Sequence, residues 1–256
     1  MPVNRRQFIS LAAGSLASGF AVSSPVLSAA LVKPKIKAIA FDGFTVLDPR
    51  PIFALAEALF PEQGVALGNS WRIRQFEYSW LRTLSGNYVG FMQVTEEALV
   101  FAAKSLKLQL TASQKQQLMD SYYALRAWPD ALPILKSLKA MDLHLAFLSN
   151  LPVDVLDAAV KNSGFTGLFD AHLSTDKVRA FKPDPRAYQM GIDAFRLQRE
   201  EIAFAAFGGW DAAGAKWFGY PTVWINRLNV PLEELGVSAD KTGNDLRVLQ
   251  DFVDNY

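Results

Sequence analysis

Short apolar runs alternate with stretches of helical periodicity along most of this chain. Lys35 to Phe41 is apolar and partly β-branched, closes on Asp42 and is followed at once by Gly43, so it reads as a buried strand ending on an acid. After Asp48-Pro49-Arg50-Pro51 the period changes. Ile52 to Phe60 carries apolar residues at helical spacing, and Pro61-Glu62-Gln63-Gly64 stops it. Asn69 or Ser70 is expected to cap a helix through Trp71 to Arg82. Two more helices are expected near Thr95 to Leu106 and Ala112 to Arg126, with Thr111 capping the second. From Ala131 the pattern alternates: helix Ala131 to Met141, strand Leu143 to Leu148, helix Val153 to Asn162 stopped at Gly164, and a short strand Ala171 to Ser174. Lys182-Pro183-Asp184-Pro185 opens a helix through Ala194, followed by strand Ile202 to Phe207, a helix to Phe218, strand Thr222 to Ile225, and a closing helix Asp245 to Val253. Asn229 to Asn244 is a polar connection with no assigned element.

Strands alternating with helices predict an α/β fold built on a doubly wound parallel sheet. About eighty helical residues interrupt that pattern straight after the first strand. The expected organisation is therefore a core of residues 31–50 and 128–256 with a helical cap, residues 51–127, inserted over the strand tips. In an open parallel sheet, ligands bind off the carboxyl ends of the strands. Four tips carry candidate chemistry: Asp42, Ser149-Asn150, Lys182 just beyond the third, and Asp211 after the fourth. Each has an ordinary explanation by itself, as a helix cap, a turn or a surface lysine. Their convergence on one edge is what singles them out.

Composition narrows the chemistry. Half of the 256 residues are hydrophobic and the formal charge is +1, with no long basic run, so neither nucleic acid nor a membrane surface is an expected partner. There is no cysteine, which excludes disulfides, thiolate nucleophiles and zinc-thiolate sites. Only His144 and His172 are present, which disfavours a histidine-based metal site or a Ser-His-Asp triad. Residues 1–30 stand apart. Asn4-Arg5-Arg6-Gln7-Phe8-Ile9 precedes a mild Ala/Gly/Ser-rich run, and Ser28-Ala29-Ala30 closes it. The segment resembles a twin-arginine signal peptide, implying the twin-arginine export machinery as a partner and a periplasmic location. Its apolar run is too short and mild for a stable membrane-spanning helix.

Phe41-Asp42 with Val46-Leu47, Leu148-Ser149-Asn150, Lys182-Pro183-Asp184 and the glycine-rich turn before Asp211 resemble, in order, the four motifs of the haloacid dehalogenase superfamily. Within it, Trp71-Arg72 with Gln75, Glu77-Tyr78 and Trp80-Leu81-Arg82 resembles the cap helix of the type II L-2-haloacid dehalogenases. Arg186, Tyr188 and the stretch from Trp224 to Arg227 extend the likeness, which covers about Lys35 to Arg227. The resemblance implies attack by Asp42 on the carbon bearing the halogen of a small halogenated carboxylic acid, an aspartyl ester, and its hydrolysis without metal or cofactor. It assigns Arg72 and Asn150 to the halide and Ser149 to the substrate carboxylate. Lys182 would hold Asp42, with Tyr188 supporting Lys182 or the carboxylate, and Asp211 orienting Lys182 or activating water. Phe44, Phe207 and Trp210 would exclude bulk water and shape the pocket. The resemblance further implies a homodimer formed through the cap.

The magnesium-dependent phosphatases of the superfamily need carboxylates where this chain has Phe44 and Phe207. The chain also departs from the dehalogenases. Val46 stands where they usually have Thr, with Thr45 beside it, and Asp42 to Asp48 is one residue shorter. Ala206 and Gly208 replace a Ser and an Asn that help to place substrate and water. These losses bear on the ester-hydrolysis step, for which Asp211 and Thr45 are the substitutes at hand. Two alternatives stay open: a hydrolase of another small substrate such as a phosphate ester, and an exported, non-catalytic binder of small carboxylates.

Overall fold

The computed structural model describes residues 35–256; the export signal read from residues 1–30 lies outside them. Six parallel strands form one sheet in the order β3-β2-β1-β4-β5-β6: β1 Ala38–Phe41, β2 His144–Ser149, β3 Ala171–Ser174, β4 Ile202–Ala206, β5 Thr222–Ile225 and β6 Lys241–Gly243. Strand β1 lies between β2 and β4 with every residue buried, as an apolar run in a two-sided parallel sheet must be. Its two faces differ. Ile39 and Phe41 pack into the larger core, whereas the small Ala38 and Ala40 belong to a second cluster with Leu148, Tyr188, Phe204 and Tyr220.

Helices cover both faces and fill the insertion: α1 Gly43–Val46, α2 Arg50–Leu59, α3 Gly64–Ser85, α4 Phe91–Ser105, α5 Ala112–Asp120, α6 Ala131–Ala140, α7 Val153–Ser163, α8 Pro185–Phe195, α9 Gly209–Phe218 and α10 Arg247–Asn255. Between β1 and β2 the described chain is helical, which is the predicted helical insertion on a Rossmann-like α/β core. Thr111 caps α5 in a reciprocal capping box with Gln114. Gly164 ends α7 at φ 69°, a left-handed position that suits glycine.

Three expectations are corrected. Neither Asn69 nor Ser70 caps a helix, because α3 starts at Gly64 and runs through both. The polar pair lies on a 22-residue helix anchored by the buried Leu67 and Trp71, whose tertiary packing overrides the local capping signal. Helix α5 stops at Asp120 rather than Arg126; turns follow, and Tyr122 and Leu125 are buried from them. The 229–244 connection contains β6, too short and polar to show a period of two. The structure adds a helical turn that the sequence pattern does not mark: α1 follows Asp42 directly, with Asp42 as its cap.

The insertion depends on a close approach at Gly64. A Cβ there would run into Glu57 Cα and stand 2.5 Å from the Ala56 carbonyl oxygen, both backbone atoms that cannot swing away. Gly64→Ala is expected to lower unfolding stability by about 1–3 kcal/mol, read as a shift in the urea midpoint. An unchanged midpoint would refute this packing.

Candidate active site

The ε-ammonium of Lys182 is completely buried and lies 2.7 Å from Asp42 Oδ1 and 2.6 Å from Asp211 Oδ2. Asp42 comes from the tip of β1, Asp211 from the first turn of α9 after β4, and Lys182 from the segment between β3 and α8. The Tyr188 hydroxyl donates to Asp211 Oδ1 at 2.7 Å, and Tyr220 donates to the Tyr188 carbonyl at 2.6 Å. Both oxygens of Asp211 are thus held, and the Phe204 ring lies 5.1 Å from the ammonium. Burial alone would push the Lys182 pKa down, but the facing carboxylates of Asp211 and Asp42 outweigh it and raise it above the usual lysine value. Burial, reinforced by the like charge of Asp42 and opposed by Lys182, pushes Asp211 up to about 6. Burial and Asp211 raise Tyr188 well above an ordinary phenol, so it acts as a neutral donor.

The turn after Asp42 is pinned at every carbonyl. Phe44 N–H donates to Asp42 Oδ2 at 3.1 Å, and the Thr45 hydroxyl donates to the Asp42 main-chain oxygen at 2.6 Å. Thr45 spends its proton inside the turn and is itself fully buried. Trp128 Nε1 donates to Phe44 O and Trp128 N to Val46 O, both at 3.0 Å, while the Arg227 guanidinium holds Thr45 O at 2.7 and 2.9 Å. Asp130 in turn grips Arg227 through both oxygens. Gly43 is required where β1 and β2 end together, since a Cβ there would stand 2.9 Å from Ser149 Oγ.

Ser149 Oγ accepts from Leu151 N–H at 3.1 Å. Asn150 Oδ1 accepts from Lys182 N–H at 3.0 Å and from the Thr175 hydroxyl at 3.2 Å, which leaves its NH2 as the end available to a ligand. Asp42, Ser149, Asn150 and Asp211 line a cavity of about 490 Å³ together with Phe44, Arg72, Phe207 and Trp210. Lys182 and Tyr188 stand behind this wall, fully buried. Arg72, from α3, makes no hydrogen bond or ion pair among the described residues, unlike Arg74, which pairs with Glu77 and stacks on Phe101. Trp210 lies over Gly208: a Cβ on Gly208 would come 2.7 Å from its Nε1. Phe76 and Trp80 pack against the same indole at 5.3 and 5.7 Å between ring centroids, and Trp80 Nε1 donates to Lys182 O. The surroundings do not fit a hard divalent cation, which needs several oxygen ligands. Asp42 and Asp211 share one ammonium, and Phe44 and Phe207 pack 6.0 Å apart beside them.

The model of the haloacid dehalogenase-like hydrolase family matches residues 26–219. The chain belongs to the haloacid dehalogenase-like hydrolases. It is 40% identical over 215 residues to an (S)-2-haloacid dehalogenase from Pseudomonas sp. strain YL, covering 84% of this chain and 93% of that one. It is 38% identical over 209 residues to a haloacetate dehalogenase from Moraxella sp. strain B, covering 81% and 93%. Among solved structures, an L-2-haloacid dehalogenase from Xanthobacter autotrophicus with chloropropionic acid covalently bound superposes with a TM-score of 0.79 at 32% identity, covering 86% of this chain and 99% of that one.

For this member of the haloacid dehalogenase-like hydrolases, the structure brings every candidate from the sequence to one place. Asp42, Lys182, Asp211 and Tyr188 touch in series. Phe44, Arg72, Ser149, Asn150, Phe207 and Trp210 line the cavity, and Thr45 lies beneath it. Tyr188 supports Lys182 through Asp211. Sequence reading passed over Trp128, Thr175 and the role of Arg227. Arg227 was visible only as part of a matching stretch, and nothing local tells that its side chain reaches back 182 positions to Thr45.

The elevated Asp211 pKa has a kinetic consequence. Above about pH 6 Asp211 is ionised and holds Lys182; below it the protonated carboxyl releases that grip. For the shared set of groups, kcat/KM should therefore fall on an acid limb near pH 6. Asp211→Asn should lower the plateau and remove that limb; an unchanged limb would refute the assignment.

Proposed function

We propose that this protein hydrolyses short 2-haloalkanoic acids to 2-hydroxy acids through an ester on Asp42. The observation that carries this is the Asp42–Lys182–Asp211 series at the wall of a cavity that also presents a free guanidinium, Arg72, and the NH2 of Asn150. One Asp42 oxygen attacks the carbon next to the substrate carboxylate in line with the carbon–halogen bond. The new C–O bond forms as halide leaves with the bonding electrons, and the carbon inverts. Arg72 and Asn150 are donors suited to the charge developing on the halide, and Ser149 suits the substrate carboxylate. Lys182 keeps Asp42 charged and aimed. Water then adds at the Asp42 carbonyl carbon, the ester C–O bond breaks, and the hydroxy acid leaves with Asp42 restored and one proton released. Phe44, Phe207 and Trp210 limit access of bulk water to the reacting atoms. The family's dehalogenase members support the reading, and the phenylalanines at 44 and 207 weigh against a magnesium-dependent phosphatase.

A second reading has a specific observation behind it. Ala206 and Gly208 place no polar side chain beside the ester, so the site could alkylate and then stall, leaving a binder of small carboxylates. Free halide measured without added metal from (S)-2-chloropropionate separates the readings. Continuous release that Asp42→Asn abolishes is the expected result. A burst stopping at one halide per site, with a mass increase on Asp42, would establish the stalled form, and no halide from any haloacid would end the proposal.

We also infer that the chain is exported to the periplasm and works there as a homodimer paired through the cap. Residues 4–30 support the first through their arginine pair, mild apolar run and small-residue ending. The second is supported by Leu81 and Leu84, exposed at 59% and 85% on α3. Cell fractionation and light scattering test them: a chain recovered only in the cytoplasm, or a monomer at micromolar concentration, would overturn the respective inference.

A further inference from the structure

The cavity is larger than its proposed chemistry requires. A three-carbon 2-haloacid has six non-hydrogen atoms, whereas about 490 Å³ falls within the roughly 300–1,000 Å³ typical of sites for drug-sized ligands. The polar groups that would hold the haloacid head come from the strand tips and from Arg72. The outer part of the same cavity is bounded by large apolar side chains left open to solvent: Val65 at 61% and Ile73 at 54% on α3, Leu228 at 45% and Val230 at 46% on the segment after β5. Exposed apolar side chains mark interaction surfaces or ligand grooves, and here their continuity with the cavity that holds Asp42 points to the groove.

Both lips are built rather than loose. The Asn226 side chain closes a ring with Val230, donating from Nδ2 to its carbonyl at 2.8 Å and accepting from its N–H at 3.0 Å, which sets Leu228 and Val230 at the rim. On the other side, Arg72 and Ile73 stand seven and eight residues, about two helical turns, after Val65 on α3, and all three line the cavity. Val65 therefore lies about 10 Å along the helix axis from Arg72, the span of roughly a seven- or eight-carbon extended chain. Glu57 and Glu233 also line the cavity and are exposed, and the one further cation among its lining residues besides Arg72, Arg50, is already paired with Asp48, so these two carboxylates disfavour a second carboxylate on the ligand.

We infer that this site accepts 2-haloacids of about five to eight carbons in all with an uncharged alkyl tail, the head held at Asp42 and Arg72 and the tail lying between Val65 and Ile73 on one side and Leu228 and Val230 on the other. This rests on the dehalogenase reading and extends its substrate class. Burial of each added methylene between these lips strengthens binding of the transition state. With (S)-2-chloro acids from three to eight carbons, kcat/KM should rise about fourfold per methylene. A chain-terminal carboxylate, as in 2-chloroadipate, should erase the gain.

Halide release across the series is the test. A flat or falling kcat/KM from three to eight carbons overturns the inference while leaving turnover of 2-chloropropionate, and so the dehalogenase reading, intact. No halide from any member, the three-carbon acid included, is instead the failure of the dehalogenase reading. Ile73→Ser combined with Leu228→Ser should reduce the rise to less than twofold per methylene, with 2-chloropropionate turnover within twofold of the unsubstituted protein. If the double variant does not fold, Val230→Ser is read in the same way. A variant series that superimposes on the parent overturns the assigned path. So does loss of a dimer in the variant with the chain-length slope unchanged, which would mean that a second copy of the chain covers these lips.

Discussion

A fully buried ammonium shared by two carboxylates is the constraint on which the rest of the site depends. An unpaired charge at Lys182 would be costly in so apolar a setting, and removing either partner of such a set strands the remainder. The surrounding sequence follows from that need. Asp211 must reach the lysine from α9, so α9 must sit close to α8 and the sheet, and the run Ala212-Ala213-Gly214-Ala215 allows it. Gly214 is where the fit is tightest, since a Cβ would come 2.5 Å from the Tyr188 hydroxyl and 2.6 Å from Pro183 Cβ. Ala38 and Ala40 on the same face of β1 leave room for the Tyr188, Phe204 and Tyr220 rings that enclose the pair.

The same lysine couples the helical insertion to the chemistry. Its carbonyl accepts from Trp80 on α3, and its N–H donates to Asn150, the tip of β2. The residue that holds Asp42 is therefore itself fixed by the helix that carries Arg72 and by the strand that ends in Ser149-Asn150. Seating of α3 through Phe76, Trp80 and Trp210 brings the Arg72 guanidinium to the cavity wall and steadies the lysine backbone in one packing event.

Most of this was legible because it is local. Apolar runs gave the strands, period changes gave the helices, and the strand tips told where chemistry would gather. The misses share a physical cause. Asn69 and Ser70 look like caps because short polar side chains compete with helix, but burial of Leu67 and Trp71 decides the matter over a longer range. Strand β6 gains its identity from pairing with β5, which three residues cannot announce. Arg227, Trp128 and Thr175 act through contacts made by the fold, and no spacing rule points from them to Asp42.

The turn shortened by one residue and the loss of polar groups at 206 and 208 are best considered together. In the shortened turn Asp42 caps α1, so that Oδ2 accepts from Phe44 N–H while Oδ1 accepts from Lys182. Under the proposed chemistry, the oxygen that is not alkylated still has a donor, whichever oxygen attacks. That donor faces the charge that grows on the ester carbonyl as water adds; where it is Phe44 N–H, the clamp of Trp128 and Arg227 on residues 44–46 keeps it from turning away, and where it is Lys182, Asp211 holds it in place. Under that chemistry, electrophilic assistance to hydrolysis is built in beside the nucleophile, from the backbone N–H of Phe44 or from the Lys182 ammonium. What Ala206 and Gly208 omit is the placement of the water, not the activation of the ester. Above Gly208 the space belongs to the Trp210 indole, whose N–H has no acceptor among the described residues and is a donor only, able to hold a water through its lone pair but not to take its proton. The chain thus keeps the half of the hydrolytic machinery that depends on fixed dipoles and simplifies the half that depends on side-chain hydroxyls and amides.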